Sequence, residues 1–252
     1  MKLPAETPQI LYEDNHLLVA IKKPGILSQA DDSGAPDMLT LLKADLKARY
    51  QRPGQVFLGL VHRLDRPVGG VMVFARTSKA AGRLSAQIRE HKVCKEYLAI
   101  VNGCPVNQSG ILSDHLSKDP STGMVRVVAA DQGRPAWLDY QVLATNEQTG
   151  HSLLAIRLGS GRGHQIRVQL SARGWPIIGD RRYGSEDKTS GGPKDPALFA
   201  CRLSFDHPIS NERLSFSAFP PEEQTWLEFS RPSPEQQKAW FEQVFSSFTG
   251  VE

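Results

Sequence analysis

His62 to Ile88 reads HRLDRPVGGVMVFARTSKAAGRLSAQI and falls into three parts. The first crowds one carboxylate, Asp65, among His62, Arg63 and Arg66. Pro67 has no backbone N–H to donate, and Gly69-Gly70 permits positive φ, so this part predicts a turn. Val71 to Ala75 is a short apolar run and predicts a buried strand. Ser78 then stands as an N-cap, and Ala81, Leu84 and Ile88 form the apolar stripe of a helix. A turn tied to a core strand is a place where functional groups are held rigidly. An Arg–Asp pair that merely closes a turn is the alternative, because turn aspartates are common. A kinase catalytic loop is excluded: the order here is H-R-L-D, and neither partner motif is present.

Working outward, Ile10 to Tyr12 and Leu17 to Ile21 predict strands, and Lys22-Lys23-Pro24-Gly25 predicts a turn. Pro36 to Tyr50 carries Leu39, Leu42 and Leu46 at helical spacing, with Pro36 placed in the first turn. Lys95 to Val101 alternates as a strand, and Trp137 to Ala144 and Leu153 to Leu158 follow in hairpin-like order. His164 to Arg173 predicts a short helix ended by Gly174. Lys188 to Pro196, KTSGGPKDP, predicts a loop. Ser233-Pro234-Glu235 opens a last helix that contains Trp240, Phe241, Val244, Phe245 and Phe248. Strands outnumber helices and do not alternate strictly with them. The fold class is therefore α+β, with a mixed, largely antiparallel central sheet and flanking helices and loops. We expect one catalytic domain over 1–252, with a core of about 10–220 and a C-terminal extension over 221–252.

The chain has 252 residues, 40% of them hydrophobic and 23% charged, which is ordinary for a globular protein. No stretch approaches the roughly 20 apolar residues of a membrane span, and the first residues lack a secretory apolar core. Cys94, Cys104 and Cys201 are widely spaced, so neither a disulfide framework nor a zinc site is expected, and a reducing cytoplasm is the simplest location. The net charge of +3 is unevenly placed. Residues 1–103 hold 15 Lys and Arg against 10 Asp and Glu, and residues 157–184 hold six arginines against Asp180 alone. Residues 205–252 reverse this, with 3 basic against 8 acidic. A basic body with an acidic tail fits a polyanionic partner; a solvated surface with scattered charge fits the same numbers.

Three further segments carry polar chemistry. Gly159 to Arg167, GSGRGHQIR, places glycines before a helix start, where backbone N–H groups can meet an anion. It lacks the endings of nucleotide-binding loops. Arg167 lies on the first helical turn, where the dipole disfavours a cation, so a nearby carboxylate or phosphate should offset it; Asp65 is one candidate. Lys95-Glu96-Tyr97 lies on a strand. Gly174 to Gly184, GWPIIGDRRYG, is basic with aromatics at both ends, a composition suited to stacking on unpaired bases.

Taken in order, these segments resemble the RluA-type pseudouridine synthase family. The residues that carry the resemblance are HRLD at 62–65, KEY at 95–97, GRGHQIR at 161–167, GWPIIGDRRYG at 174–184 and LSFDHP at 203–208. KKPGILS at 22–28 is similar to the family's early Lys-Pro-x-Gly turn. The match runs from about Ile10 to Pro220. It implies an isomerase that breaks the N1–C1′ bond of a uridine within a ribosomal or transfer RNA stem-loop, turns the uracil and rejoins it through C5. No metal or diffusible cofactor is implied. Asp65 matches the catalytic aspartate, Tyr97 the residue that packs on the target base, and Arg167 the arginine that pairs with the catalytic carboxylate. Ile178 matches the floor of the uracil pocket, and Arg63 a residue associated with displacing the target from the stack. His62, Arg162, His164 and Gln165 lie in the same motifs and are expected to bind substrate.

The physics agrees with these roles, since a guanidinium neighbour keeps a buried carboxylate ionised and the target nucleotide must flip out to be reached. Four positions in three segments depart from the family pattern. Val68-Gly69-Gly70 stands where Thr-Ser-Gly is usual, Gly163 where Thr or Ser is usual, and Gln169 where His is usual. The pattern starts so early that the S4-type RNA-binding domain of many members is expected to be absent, and a monomer is expected. The acidic tail should face away from RNA. An RNA-binding protein that has lost catalysis is the alternative, motivated by the altered turn. A hydrolase using Asp65 as nucleophile lacks an apparent second carboxylate.

Overall fold

The computed structural model describes residues 8–51, 54–184 and 195–248. In chain order the elements are β1 (Ile10–Glu13), β2 (Leu17–Lys22), α1 (Met38–Tyr50), β3 (Gly59–Leu60), β4 (Gly69–Ala75), α2 (Ser78–Arg89), β5 (Cys94–Asn102), β6 (Ser109–Lys118), β7 (Val125–Val128) and β8 (Arg134–Asn146). There follow β9 (His151–Leu158), α3 (Gln165–Ser171), β10 (Leu198–Asp206), β11 (Arg213–Ser217), α4 (Gln224–Leu227) and α5 (Gln237–Ser246). The class is α+β, as expected, and the pairings β1–β2, β2–β4, β3–β4, β10–β11, β5–β9, β8–β9, β6–β8 and β6–β7 are all antiparallel. Most of the predicted loop at 188–196 lies outside the described residues. Among the described residues, no helix is long and apolar enough to cross a membrane.

The chain divides into two compact units. The first combines the segment up to Val93 with Arg202–Ala218, and the second combines Cys94–Cys201 with the segment from Phe219 onward. In the first unit, β2 lies between β1 and β4, with Leu17 opposite Ala75 and Ile21 opposite Val71. All of β4 is buried, as its unbroken apolar run requires. Leu17, Val19, Val71 and Val73 pack with Ala80 and Leu84 of α2 and with Leu203 and Phe205. The cap of α2 is Thr77, not Ser78. Thr77 keeps an extended backbone and its side chain accepts from Ala80 N at 3.2 Å, whereas Ser78 is already helical. Likewise Pro36 lies outside α1, whose cap is Asp37, accepting from Thr40 N at 3.1 Å.

In the second unit the strand order is β5-β9-β8-β6-β7. Side chains alternate across β5, so Lys95, Tyr97 and Ala99 face one way and Glu96, Leu98 and Ile100 the other. Arg157 of β9 stands opposite Glu96 and donates to Glu96 Oε1 from Nε at 3.1 Å and Nη2 at 2.9 Å. The same guanidinium donates to the carbonyls of Phe245 and Phe248 at the end of α5. The C-terminal helix is thus fastened to the sheet face that Tyr97 does not use. Ser233 and Gln236 form a capping box before α5, and Phe241 packs on Phe219 with ring centroids 4.7 Å apart. The helix α3 is shorter than predicted. His164, in a left-handed conformation, precedes it, and it ends at Ser171 rather than at Arg173.

Candidate active site

In the first unit, the turn that carries Asp65 is braced by the segment at 22–28. Val68 N donates to Asp65 O at 3.0 Å, and Gly70 has φ +142°, a backbone that favours glycine. Lys22 is fully buried, and its Nζ donates to Val68 O at 2.7 Å, Arg66 O at 2.9 Å and Lys23 O at 3.3 Å. Ser28 Oγ donates to Leu64 O at 2.9 Å and accepts from Leu64 N at 3.1 Å. Gly25 N donates to Arg66 O at 2.9 Å, and Arg66 Nε returns to Gly25 O at 3.1 Å. His62 Nε2 accepts from Val73 N at 3.0 Å, which fixes the Nε2-acceptor tautomer. Leu64 is buried, Asp65 is half-buried, and Arg63 and Arg66 are exposed. An ammonium and a hydroxyl from another part of the chain thus brace a turn that carries no hydroxyl at 68–70.

This bracing has a measurable weight. Lys22→Met keeps the stem but removes three donors, leaving three inward carbonyls without that partner. The expected loss is about 2–3 kcal/mol, or a melting temperature lower by about 5–10 °C. Thermal melting checks this; a variant that melts with the wild type would show that the turn stands without the ammonium.

In the second unit, Tyr97 is buried on β5. Arg167 is buried on α3 and donates from Nε to Asp180 Oδ2 at 2.7 Å and from Nη2 to Asp180 Oδ1 at 2.8 Å. Asp180 Oδ1 also accepts from Arg182 N at 3.0 Å and Tyr183 N at 3.1 Å. Burial pushes the Asp180 carboxyl up, but the Arg167 hydrogen bonds and charge, with the two backbone N–H groups, hold it below the usual carboxylate range. This carboxylate supplies the offset that a cation on the first turn of α3 needs. It engages one edge of the guanidinium. The Tyr183 ring lies under the same group, 5.1 Å from the guanidinium carbon.

The glycine-rich segment is held by a buried polar chain. Gln165 Oε1 accepts from Ser160 Oγ at 2.8 Å and Arg162 N at 3.0 Å, and Gln165 Nε2 donates to Trp137 O and Gln169 Oε1, both at 3.0 Å. Gln169 Nε2 donates to Asp114 Oδ2 at 2.7 Å, which also accepts from Arg173 at 2.8 Å. At 169, where His is usual, a glutamine can link these groups because its amide both accepts and donates. His164 Nδ1 lies 2.7 Å from Tyr183 OH, which accepts from Val125 N at 2.9 Å. Ile178 is half-buried, its backbone tied to Ile100 O at 3.0 Å and Ala197 N at 2.8 Å. Arg162 is exposed, with Nε on Pro135 O at 3.2 Å. Gly159 has an internal reason to be glycine: a Cβ there would lie 2.0 Å from Trp137 Nε1.

The sequence alone does not single out Asp180 or Lys22. The available signal for Asp180 was its isolation among six arginines over 157–184. Lys22 lies in the KKPGILS segment, but that gives it no role, because a lysine in a turn reads as solvated until its carbonyl partners are known.

The RNA pseudouridylate synthase family model matches residues 16–172. Ribosomal large subunit pseudouridine synthase D of Xanthomonas campestris pv. campestris is 36% identical over 232 residues, covering 87% of this chain and 68% of that one. The protein of the same name from Zymomonas mobilis is 30% identical over 233 residues, covering 89% and 73%. The solved structure of human RNA pseudouridylate synthase domain containing 1 shares the fold, with TM-score 0.71 at 23% identity over 90% of this chain and 89% of that one. The chain belongs to the RNA pseudouridylate synthase family, the isomerases that convert uridine in RNA to pseudouridine.

Proposed function

We propose that Asp65 is the catalytic carboxylate of this isomerase, that Tyr97 packs on the target base and that Arg167 completes the catalytic set. What supports this reading is the turn of Asp65: its backbone is tied down at Leu64, Arg66 and Val68 by Lys22, Gly25 and Ser28. A fixed carboxylate keeps its reach to a substrate atom without reorganising. The reaction moves a glycosidic bond from N1 to C5, C5 losing a proton and N1 gaining one, so the product is an isomer. Arg63, Arg162 and Ile178, exposed or half-buried, meet the RNA, while His62, His164 and Gln165 hold their segments in place. The substrate class is large-subunit ribosomal RNA, on the strength of the names carried by the relatives at 36% and 30% identity. The enzyme acts as a monomer in the cytoplasm, with Cys94, Cys104 and Cys201 in no disulfide among the described residues.

The test is tritium release from RNA carrying 5-³H-uridine, with unmodified large-subunit ribosomal RNA and transfer RNA offered separately. Release from the ribosomal transcript alone is the expected result. Release only from transfer RNA would overturn the substrate class, and RNA binding at graded salt without release from either would favour the inactive RNA-binding protein.

A further inference from the structure

Lys95 lies at the start of β5 on the same face as Tyr97, two residues or about 6.6 Å away along the strand. That separation is of the order of the distance between a nucleobase and its own phosphate. Its Nζ lies 3.3 Å from where a Cβ on Gly161 would sit, so the ammonium packs beside the glycine-rich loop. Among the described residues Lys95 makes no hydrogen bond and no ion pair. The other buried or largely buried cations are treated differently: Lys22 meets three carbonyls, Arg157 meets Glu96, and Arg167 meets Asp180. Burial pushes the Lys95 ammonium below the ordinary lysine value, with no carboxylate opposing it. The N–H groups of Gly161 and Gly163 also have no acceptor among the described residues. A largely desolvated cation with no anionic partner, set beside the open backbone of Gly161, is electrostatically incomplete.

We propose that Lys95, with the neighbouring amide of Gly161, binds a phosphodiester of the substrate RNA next to the nucleotide that packs on Tyr97. RNA offers one such anion per nucleotide, and a compact ammonium meets it as a point charge. Glycine at 161 leaves the backbone open to the phosphate and avoids crowding the ammonium. The inference rests on the reading of the chain as an isomerase of uridine in RNA with Tyr97 at the base.

The experiment compares wild type, Lys95→Met and Lys95→Arg. Equilibrium binding to an unmodified large-subunit ribosomal RNA transcript is measured across a salt series, alongside tritium release. Loss of one phosphate contact lowers the slope of log affinity against log salt by about 0.7–0.9. Lys95→Met should show that drop and bind about tenfold more weakly. KM should rise while kcat holds within about threefold, and Lys95→Arg should keep the slope. Removing an unpaired buried charge should not lower the melting temperature. An unchanged slope in Lys95→Met overturns the proposal, and a lowered melting temperature with that unchanged slope marks Lys95 as a packing residue. Wild type that binds the transcript in this salt-dependent way yet releases no tritium counts against the isomerase reading, while the slope comparison still decides Lys95.

Discussion

Asp65→Asn is expected to lose tritium release by more than about 10⁴-fold while melting with the wild type. The substitution keeps the size and shape of the side chain, removes its charge and puts an amide nitrogen in place of one oxygen. The backbone of the turn has braces of its own: Lys22 binds the carbonyls of Arg66 and Val68, Ser28 closes on Leu64, and Asp65 contributes its own carbonyl to Val68 N. A loss of activity without a loss of fold therefore isolates the chemistry. A variant that turned over at even a tenth of the wild-type rate would remove Asp65 from the catalytic role, and a large fall in melting temperature would make it a structural aspartate instead.

Arg167→Gln should carry the largest stability effect in the second unit. The side chains of Arg167 and Asp180 are 6% and 1% exposed, and two hydrogen bonds of 2.7 and 2.8 Å join them. Removing one member leaves a buried charge facing an amide, at a cost of about 3–5 kcal/mol, so the melting temperature at pH 7 should fall by about 10 °C. The pH dependence follows from the sign of the shift. In the wild type the Asp180 carboxyl is held below its unfolded value, so its stabilising contribution is complete above about pH 4 and is lost as pH falls through the folded value. In the variant, burial acts with much less opposition and the same carboxyl rises. The gap between the two proteins should thus be widest at neutral pH and narrow in acid. Melting curves at pH 7 and pH 4 decide it; a constant gap would mean that the ion pair is not the source of the loss. Arg167→Lys, which keeps the charge but not the fork, should recover part of the stability.

The parts of the fold that were legible are those where one periodicity dominates. Val71 to Ala75 is too short and too apolar for anything but a buried strand, and Ala81, Leu84 and Ile88 repeat at helical spacing. Ser109–Lys118 was not legible because its outward positions carry Ser, Asp and His and blur the alternation; Val125–Val128 is only four residues long. Leu198–Asp206 announced itself through the LSFDHP motif rather than as a strand. The helix ends at Thr77 and His164 were misplaced by one residue because two adjacent residues, Thr77 and Ser78, can each cap, and because a left-handed histidine leaves no mark in a sequence. Within the candidate site, Asp65, Tyr97 and Arg167 stood out through their motifs. Asp180 and Lys22 lie inside the motifs at 174–184 and 22–28 but received no role there, since their importance lies in partners distant along the chain: Arg167 is 13 residues from Asp180, and Val68 is 46 from Lys22.

The Lys22 lock grips carbonyl oxygens, which every residue possesses, so it registers the path of the turn and is indifferent to the side chains strung along it. Val68 and Gly69 can therefore drift from the family's usual hydroxyl residues without loosening Asp65, provided the path is kept. The outward side chain of Arg63 shares that freedom, whereas Arg66 also ties the turn to Gly25 O. A chain with this lock can exchange outward residues of the turn one at a time while the Asp65 carboxylate stays where it is.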